Sequence, residues 1–200
     1  MMINKFLYTT ILLFFINSLI NYNNILLSFL TFLLGLFFAD LLSGIVHTIF
    51  DNEKFLTKEL ITYNKNLIHP DNIKFSNIFQ KICYKFQMHH YGYNDYESEI
   101  FSDEFLGLPS KVLFIPCIFF NLLFIKVPYL NLFLNTIIFI SVHNQIFHYI
   151  AHTNKFKIFQ KYKIIISNKD HMIHHIAPHK KNYCIINGWA NNFLNYLIKF

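Results

Sequence analysis

The chain contains no arginine: all seventeen of its basic residues are lysines, against eleven acidic residues. A formal net charge of +6 invites a nucleic-acid reading. No basic stripe interleaves with exposed aromatics, however, so nucleic acid is not an expected partner. Attraction of scattered lysines to an anionic membrane leaflet is the simpler account. Cysteine is also scarce. Cys83, Cys117 and Cys184 are odd in number and widely spaced, with no CxxC pair. That excludes a zinc ribbon and a disulfide framework and suits a reducing, cytosol-facing environment. Charged residues make up only 14% of the chain, well below the roughly 25% of soluble proteins. The HExxH motif of zinc proteases is missing, because His148 and His152 bracket Tyr149, Ile150 and Ala151 with no general-base glutamate. A serine nucleophile elbow and a P-loop are absent too.

What is abundant is apolar. Hydrophobic residues reach 54% and aromatics 19%, and the excess sits in blocks, as in an integral membrane protein. The length of 200 residues suits one domain spanning 1–200. Apolar runs cover approximately 6–20, 25–46, 112–126 and 130–150. The first could be a signal peptide, but no small-residue cleavage site follows, which favours a membrane helix. It is short for a span of about 20 residues, so flanking residues must contribute. The third contains Pro116, which allows a kinked or re-entrant helix.

The expected fold is therefore all-α and integral to the membrane, with about four transmembrane helices in two hairpins and a His-rich helical cap. Short connections fall at 21–24 and near 126–131, while the N-terminus and segments 51–111 and 153–200 lie on the opposite side. Sixteen of the seventeen lysines lie on that opposite side, which the positive-inside rule makes cytosolic.

Eight of the eleven histidines fall in four clusters: His47 with Asp51, the pair His89-His90, His148 with His152, and His171 with His174 and His175. Imidazole is the commonest metal ligand, and one tetrahedral ion takes only four ligands. Eight histidines and one aspartate suit two ions. A helix entering at Ile25 and rising ~1.5 Å per residue leaves the hydrocarbon just before His47 and Asp51. A fourth helix from Leu130 emerges near His148 and His152, so all four clusters are expected at one interface. Pairs four apart share a helix face, as do His171, His174 and His175 if helical. His89 and His90 cannot share one, so they serve different metals or ligate from a turn.

Four further residues are candidates for supporting roles. Asp40, about two turns before His47, is expected to accept the N–H of a ligating histidine, and Asp170 beside His171 has the same reading. His143 either supports a ligand or joins helices by hydrogen bonding. His179 either orients a ligand or meets a lipid headgroup, and His69 is a surface loop residue. Imidazole-rich ligation with a carboxylate suits iron. Two irons can reduce O2 to an oxidant that takes hydrogen from an unactivated C–H bond, and the abundant bilayer substrate is a lipid chain.

These stretches resemble the Kua family of lipid desaturase domains. The resemblance is carried by Ala39-Asp40-Leu41-Leu42-Ser43-Gly44-Ile45-Val46-His47, by His148-x3-His152-Thr153 and by His171-Met172-Ile173-His174-His175-Ile176-Ala177-Pro178-His179. It continues through Asn182-Tyr183-Cys184-Ile185-Ile186-Asn187-Gly188-Trp189. That family includes plasmanylethanolamine desaturases, which form a vinyl ether, and a plastid desaturase acting on palmitate of phosphatidylglycerol. The resemblance implies that His47, Asp51, His89, His90, His148, His152, His171, His174 and His175 ligate two iron ions, with O2 as co-substrate. It also implies a membrane phospholipid substrate and a cytochrome b5-like electron donor. The chain departs from the pattern in a longer stretch between Asp51 and His89, in Tyr91-Gly92-Tyr93-Asn94-Asp95 after the histidine pair, and in Glu99 where a histidine is expected. The lack of a serine-rich transit peptide favours the endoplasmic reticulum.

The expected reaction is desaturation of an ether phospholipid. The alternatives are a fatty-acyl desaturase or a hydroxylase, a zinc-dependent membrane hydrolase, and a non-catalytic metal-binding membrane protein. The last would need an intramembrane polar path, for which only Asn135, Ser141, His143 and Asn144 stand in the fourth run.

Overall fold

The computed structural model describes residues 2–20, 24–92, 103–153, 155–176 and 179–198. Among the described residues it is all-helical, with no strand. The helices are α1 (Met2–Ile20), α2 (Ile25–Phe50), α3 (Lys58–Lys65), α4 (Ile78–Met88), α5 (Asp103–Phe124), α6 (Pro128–Val142), α7 (Asn144–Thr153), α8 (Lys157–Lys161), α9 (Asn168–His174) and α10 (Asn191–Ile198). Three helices are long and apolar enough to cross a membrane, or four if the bent pair α6–α7 is one span. The chain is thus an integral membrane protein. The first run is longer than its apolar core: residues from Met2 onward extend α1 to 19 residues, about 28 Å at 1.5 Å per residue. Helix α5 continues through Pro109 and Pro116.

The fourth run is not one straight helix, which corrects the sequence reading. Helices α6 and α7 meet at a 50° bend. His143 lies at the break. Its ring Nδ1 is 2.7 Å from the Phe139 carbonyl, the acceptor its own backbone N–H would normally use. The backbone N–H donates instead to Ile140, 3.0 Å away. A side chain inserted into the i→i−4 ladder is a recognised cause of kinks. His143 Nε2 also pairs with the Tyr8 hydroxyl of α1 at 3.2 Å, so this histidine joins helices.

The chain divides into two compact units, one of Met1–Gly44 and Ser98–Phe200, the other of Ile45–Glu97. In the first, α1 packs on α5 and α6. Phe15 stacks on Phe139 with ring centroids 4.4 Å apart. Between α5 and α6, Asn121, Asn131 and Asn135 form a closed set of amide hydrogen bonds of 2.9–3.1 Å. Buried in an apolar setting, they satisfy one another and clasp the hairpin.

Helix α2 approaches α6 at Gly35. A Cβ there would lie 2.8 Å from Thr136 Cβ and Cγ2 and 3.2 Å from the Phe133 carbonyl oxygen. In an open helix Gly→Ala stabilises by about 1 kcal/mol. Here Gly35→Ala is expected to reverse that sign and lower the thermal midpoint of the detergent-solubilised protein. An unchanged or raised midpoint would show that α2 and α6 do not meet this closely.

The second unit has a core of its own: Leu56, Leu60, Cys83, Tyr84 and Met88, flanked by Phe50, Ile61 and Phe75. Thr57 caps α3 by accepting from Leu60 N, and Asn77 caps α4 by accepting from Gln80 N. Three polar contacts pin the connecting backbone. Gln87 Nε2 donates to Phe50 O at 3.0 Å, Asn64 Nδ2 to Tyr84 O at 3.1 Å, and Tyr84 Oη to Ile68 O at 2.7 Å. Burial pushes the Tyr84 phenol from 10.0 up to about 12. An unfolded tyrosine ionises first as pH rises past 10, so this unit loses stability between pH 10 and about 12. Tyr84→Phe should remove that alkaline loss while costing about 1 kcal/mol at neutral pH. Hydrogen exchange of the α4 amides against pH reads both effects.

Candidate metal centres

Each unit gathers histidines. In the second, the last turn of α2 carries His47, and Asp51 follows one turn later, with His47 Nε2 and Asp51 Oδ2 3.1 Å apart. Helix α4 tightens after Met88 into a 3-10 turn, His89–Tyr91. Gly92 ends that turn at φ +96°, a left-handed conformation that a side chain would strain. The tight turn lets adjacent histidines present both rings, with centroids 4.2 Å apart. His90 Nε2 reaches the other carboxylate oxygen, Asp51 Oδ1, at 3.1 Å. His47, His89 and His90 each offer a nitrogen within 4.8 Å of the others. His89 Nδ1 bonds the Phe86 carbonyl, which leaves the lone pair on Nε2. Phe86 also packs edge-on against His47, centroids 4.8 Å apart, and walls the cluster with an apolar ring.

In the first unit four histidines come together. His148 and His152 are one turn apart on α7, while His171 on α9 and His175 at its C-cap face them. Successive Nε2 atoms lie 3.1 Å (His148 to His152), 3.0 Å (His152 to His171) and 3.1 Å (His171 to His175) apart. All four lie within 4.8 Å of one another. Hydrogen bonding does not explain this. A ring nitrogen has one in-plane lobe, either a lone pair or an N–H, yet His152 and His171 each approach two neighbours with the same Nε2. A central cation satisfies every lone pair at once. Metal–nitrogen bonds of ~2.0–2.1 Å put neighbouring donors about 2.8–3.4 Å apart, depending on the angle at the ion. The observed edges fall within that range, so the residues present fit a transition-metal ion.

His174 does not join these four. Its ring packs on Tyr183, centroids 4.8 Å apart, and its Nδ1 lies 3.0 Å from the Lys181 carbonyl, which again puts the lone pair on Nε2. His179 Nδ1 contacts the His174 carbonyl at 3.1 Å, so His179 braces the end of α9. Its positive φ of 57° is required by the turn back toward Lys181.

Two supporting roles need correction. Asp40 accepts no histidine N–H. Its Oδ1 accepts from the backbone N–H groups of Ile186 (3.0 Å), Asn187 (3.0 Å) and Gly188 (3.2 Å), and Oδ2 accepts from Ala190 (3.0 Å). The adjacent Ser43 Oγ accepts from Ile185 N at 3.2 Å. A loop of consecutive amides offers more donors than one imidazole, and the carboxylate goes there. Asp170 also lacks the expected role: its carboxylate accepts from Ser167 Oγ, which in turn caps its N–H, both at 2.9 Å. This is a helix start, not a ligand support. His69 is half-exposed and caps a short turn by accepting from Asp71 N.

Cys83 and Cys184 stay out of the donor sets. Burial, followed by the charge of Asp51, pushes the Cys83 thiol up. Burial and then Asp40 do the same for Cys184. A neutral thiol is a poor metal ligand. Residues 93–95, Glu99 and residues 177–178 lie outside the described residues.

The sequence reading missed Phe86, Tyr183 and the Lys181 carbonyl. An aromatic three residues before a histidine on a helix is a signal for the first. The other two act from a turn whose geometry no spacing encodes.

The family described as the lipid desaturase domain matches residues 74–200, a stretch that holds His89 through His175 but begins after His47 and Asp51. The chain is 35% identical over 74 residues to fatty acid desaturase 4-like 1, chloroplastic, of Arabidopsis thaliana, covering 34% of this chain and 25% of that relative. It is 35% identical to fatty acid desaturase 4, chloroplastic, of the same plant, covering 34% and 23%. To plasmanylethanolamine desaturase 1 of Mus musculus it is 44% identical over 34 residues, covering 17% and 12%. The chain thus spans a quarter or less of the length of these relatives. No solved structure matches it. With its helices apolar enough to cross a membrane, its paired histidine clusters and a match over well more than half its length, this chain belongs to the family of the lipid desaturase domain.

Proposed function

We propose that this chain is a membrane-bound, iron- and O2-dependent lipid desaturase that holds two iron ions, one at the histidine cluster of each unit. The observation that carries the reading is the series of four Nε2 atoms from α7, α9 and its C-cap, successive ones 3.0–3.1 Å apart, in a chain with three or four candidate spans. Imidazole-rich ligation at both clusters, with the Asp51 carboxylate at one of them, suits iron. Bound iron would supply the reduction of O2 to water, with two hydrogens from the lipid and two electrons and two protons from outside. A cytochrome b5-like donor at the cytosolic face of the endoplasmic reticulum is the proposed electron source.

The chain's own residues supply ligands and their orientation. Phe86 and Lys181, through their carbonyl oxygens, fix the tautomers of His89 and His174. Asp51 draws His47 and His90 to one carboxylate. Phe86 and Tyr183 keep water from the rings they cover.

The proposed substrate is an ether phospholipid, converted from plasmanyl to plasmenyl form. An acyl chain is the second reading, supported by the longer match to the two fatty acid desaturases, 74 residues against 34. Lipid mass spectrometry of desaturase-deficient cells expressing the chain tests both. A product lighter by two hydrogens in the ether or the acyl lipid identifies the substrate, and His175→Ala should abolish it. Gain of one oxygen would make the chain a hydroxylase. Turnover without O2 but with zinc would sink the oxidative reading, and an unaltered lipid profile would leave a non-catalytic metal protein.

A further inference from the structure

Just after the last candidate span ends at Thr153, the chain exposes Phe156, Ile158, Phe159, Tyr162 and Ile164, with Ile158 and Tyr162 64% and 66% exposed. The same stretch holds Lys157, Lys161 and Lys163. Positions four apart share a helix edge. On α8, Lys157 and Lys161 therefore form a cationic edge beside the apolar edge of Ile158 and Tyr162. A soluble surface would not place bulky apolar groups there. A bilayer interface would, with rings and aliphatic chains below and ammonium groups at phosphate depth.

The cationic edge also rims a depression. Between α8 and the start of α9 lies a basin of about 580 Å³, bordered by Lys157, Lys161, Lys163 and Lys169. Its neutral lining groups are already engaged. Gln160 Nε2 donates to the Lys155 carbonyl at 2.8 Å, and Gln160 Oε1 accepts from Asn168 N at 3.1 Å. The single acid, Asp170, bonds Ser167. None of the four rim lysines has an ion-pair partner among the described residues. Four ammonium groups thus rim a cavity large enough for a phosphodiester, with Asp170 the one acid among its lining residues.

We propose that this basin binds the phosphate headgroup of an anionic phospholipid in the surrounding leaflet, while the 156–164 stretch lies in the membrane interface. The site is a lipid-docking surface beside the last span, and none of its lining residues is one of the clustered histidines.

Native mass spectrometry of the full chain in neutral detergent tests it, with phosphatidylserine and phosphatidylcholine as probes. Wild type should retain phosphatidylserine preferentially. Each lysine near a membrane surface contributes about fivefold, so Lys161→Gln with Lys163→Gln should cut that preference about 25-fold. Lys157→Gln with Lys169→Gln, on the other part of the rim, should do the same, whereas Lys54→Gln with Lys58→Gln should not. Unchanged thermal midpoints show that the variants fold, and either rim pair alone suffices for the comparison. Equal retention of both lipids, or no loss in a folded rim variant, overturns the proposal. So does release of phosphatidylserine by millimolar inorganic phosphate, which would mark a free-anion site. Rim variants that keep phosphatidylserine but lose electron transfer from an acidic donor protein would assign the basin to that protein instead. The measurement needs neither iron nor O2, so its failure leaves the desaturase reading standing.

Discussion

His171→Ala is expected to remove about half of the iron bound per chain and to reduce double-bond formation at least a hundredfold. His171 is fully buried, and its Nε2 approaches two others, 3.0 Å from His152 and 3.1 Å from His175. Even the loss of a partner that merely orients a ligand typically costs about 10–100-fold in metal affinity or activity. Removing a central donor should exceed that, because it separates His175 from His148 and His152 in the series of close nitrogens. The second unit contributes His47, Asp51, His89 and His90 from separate elements, so its ion should survive, and total iron should fall by half and not to zero. Iron analysis alongside circular dichroism separates ligand loss from unfolding. His69→Ala is the matched control, since that ring is half-exposed and only caps a turn. Unchanged iron in folded His171→Ala would remove this histidine from the metal site and with it the argument from nitrogen spacing.

The spans were legible because hydrophobicity accumulates along the chain and needs no tertiary information. Residues 25–50 read as one apolar helix, and they form one. The bend at His143 was not legible, since it depends on which acceptor an imidazole finds, and the Phe139 carbonyl competes with solvent and neighbours only in three dimensions. For the histidines, four-residue spacing identified His148 with His152 as a shared face, and the helix delivers both rings to one point. The same rule placed His171, His174 and His175 together. The helix ends at His174, however, and the Lys181 carbonyl takes its Nδ1 while Tyr183 packs on its ring, so that its Nε2 is the nitrogen left to a ligand. The pair His89-His90 resisted a helical reading for a sound reason: a 3-10 turn, not an α-helix, carries it. Asp40 shows the limit most clearly. A carboxylate in an apolar run signals an obligatory partner, but the sequence does not say whether that partner is a nearby imidazole or a loop nearly 150 residues away.

That partner makes Asp40→Ala the second large effect. The fully buried carboxylate collects four backbone N–H groups, from Ile186, Asn187, Gly188 and Ala190. Truncation leaves four donors without an acceptor, each costing about 1–3 kcal/mol if it stays buried. The sum rivals the entire stability of a typical domain, about 5–15 kcal/mol. The loop will therefore leave its seat before it bears that cost. Gly44 shows how tightly it is seated, since a Cβ there would lie 2.6 Å from Cys184 Sγ. When residues 185–190 lift away, Tyr183 and Lys181 go with them, and His174 loses both its ring contact and the acceptor that fixes its tautomer. Asp40→Ala should consequently lower the thermal midpoint sharply and also free the amides of 185–190 to exchange, while iron bound by the proposed site of His148, His152, His171 and His175 should be retained. Asp40→Asn retains one acceptor oxygen for three of the N–H groups but turns an NH2 group toward Ala190, so an intermediate loss is expected. Asp40→Ala protein with native protection across 185–190 would show that the carboxylate does not hold this loop, and that the effect of Asp40 on His174 must run through another route.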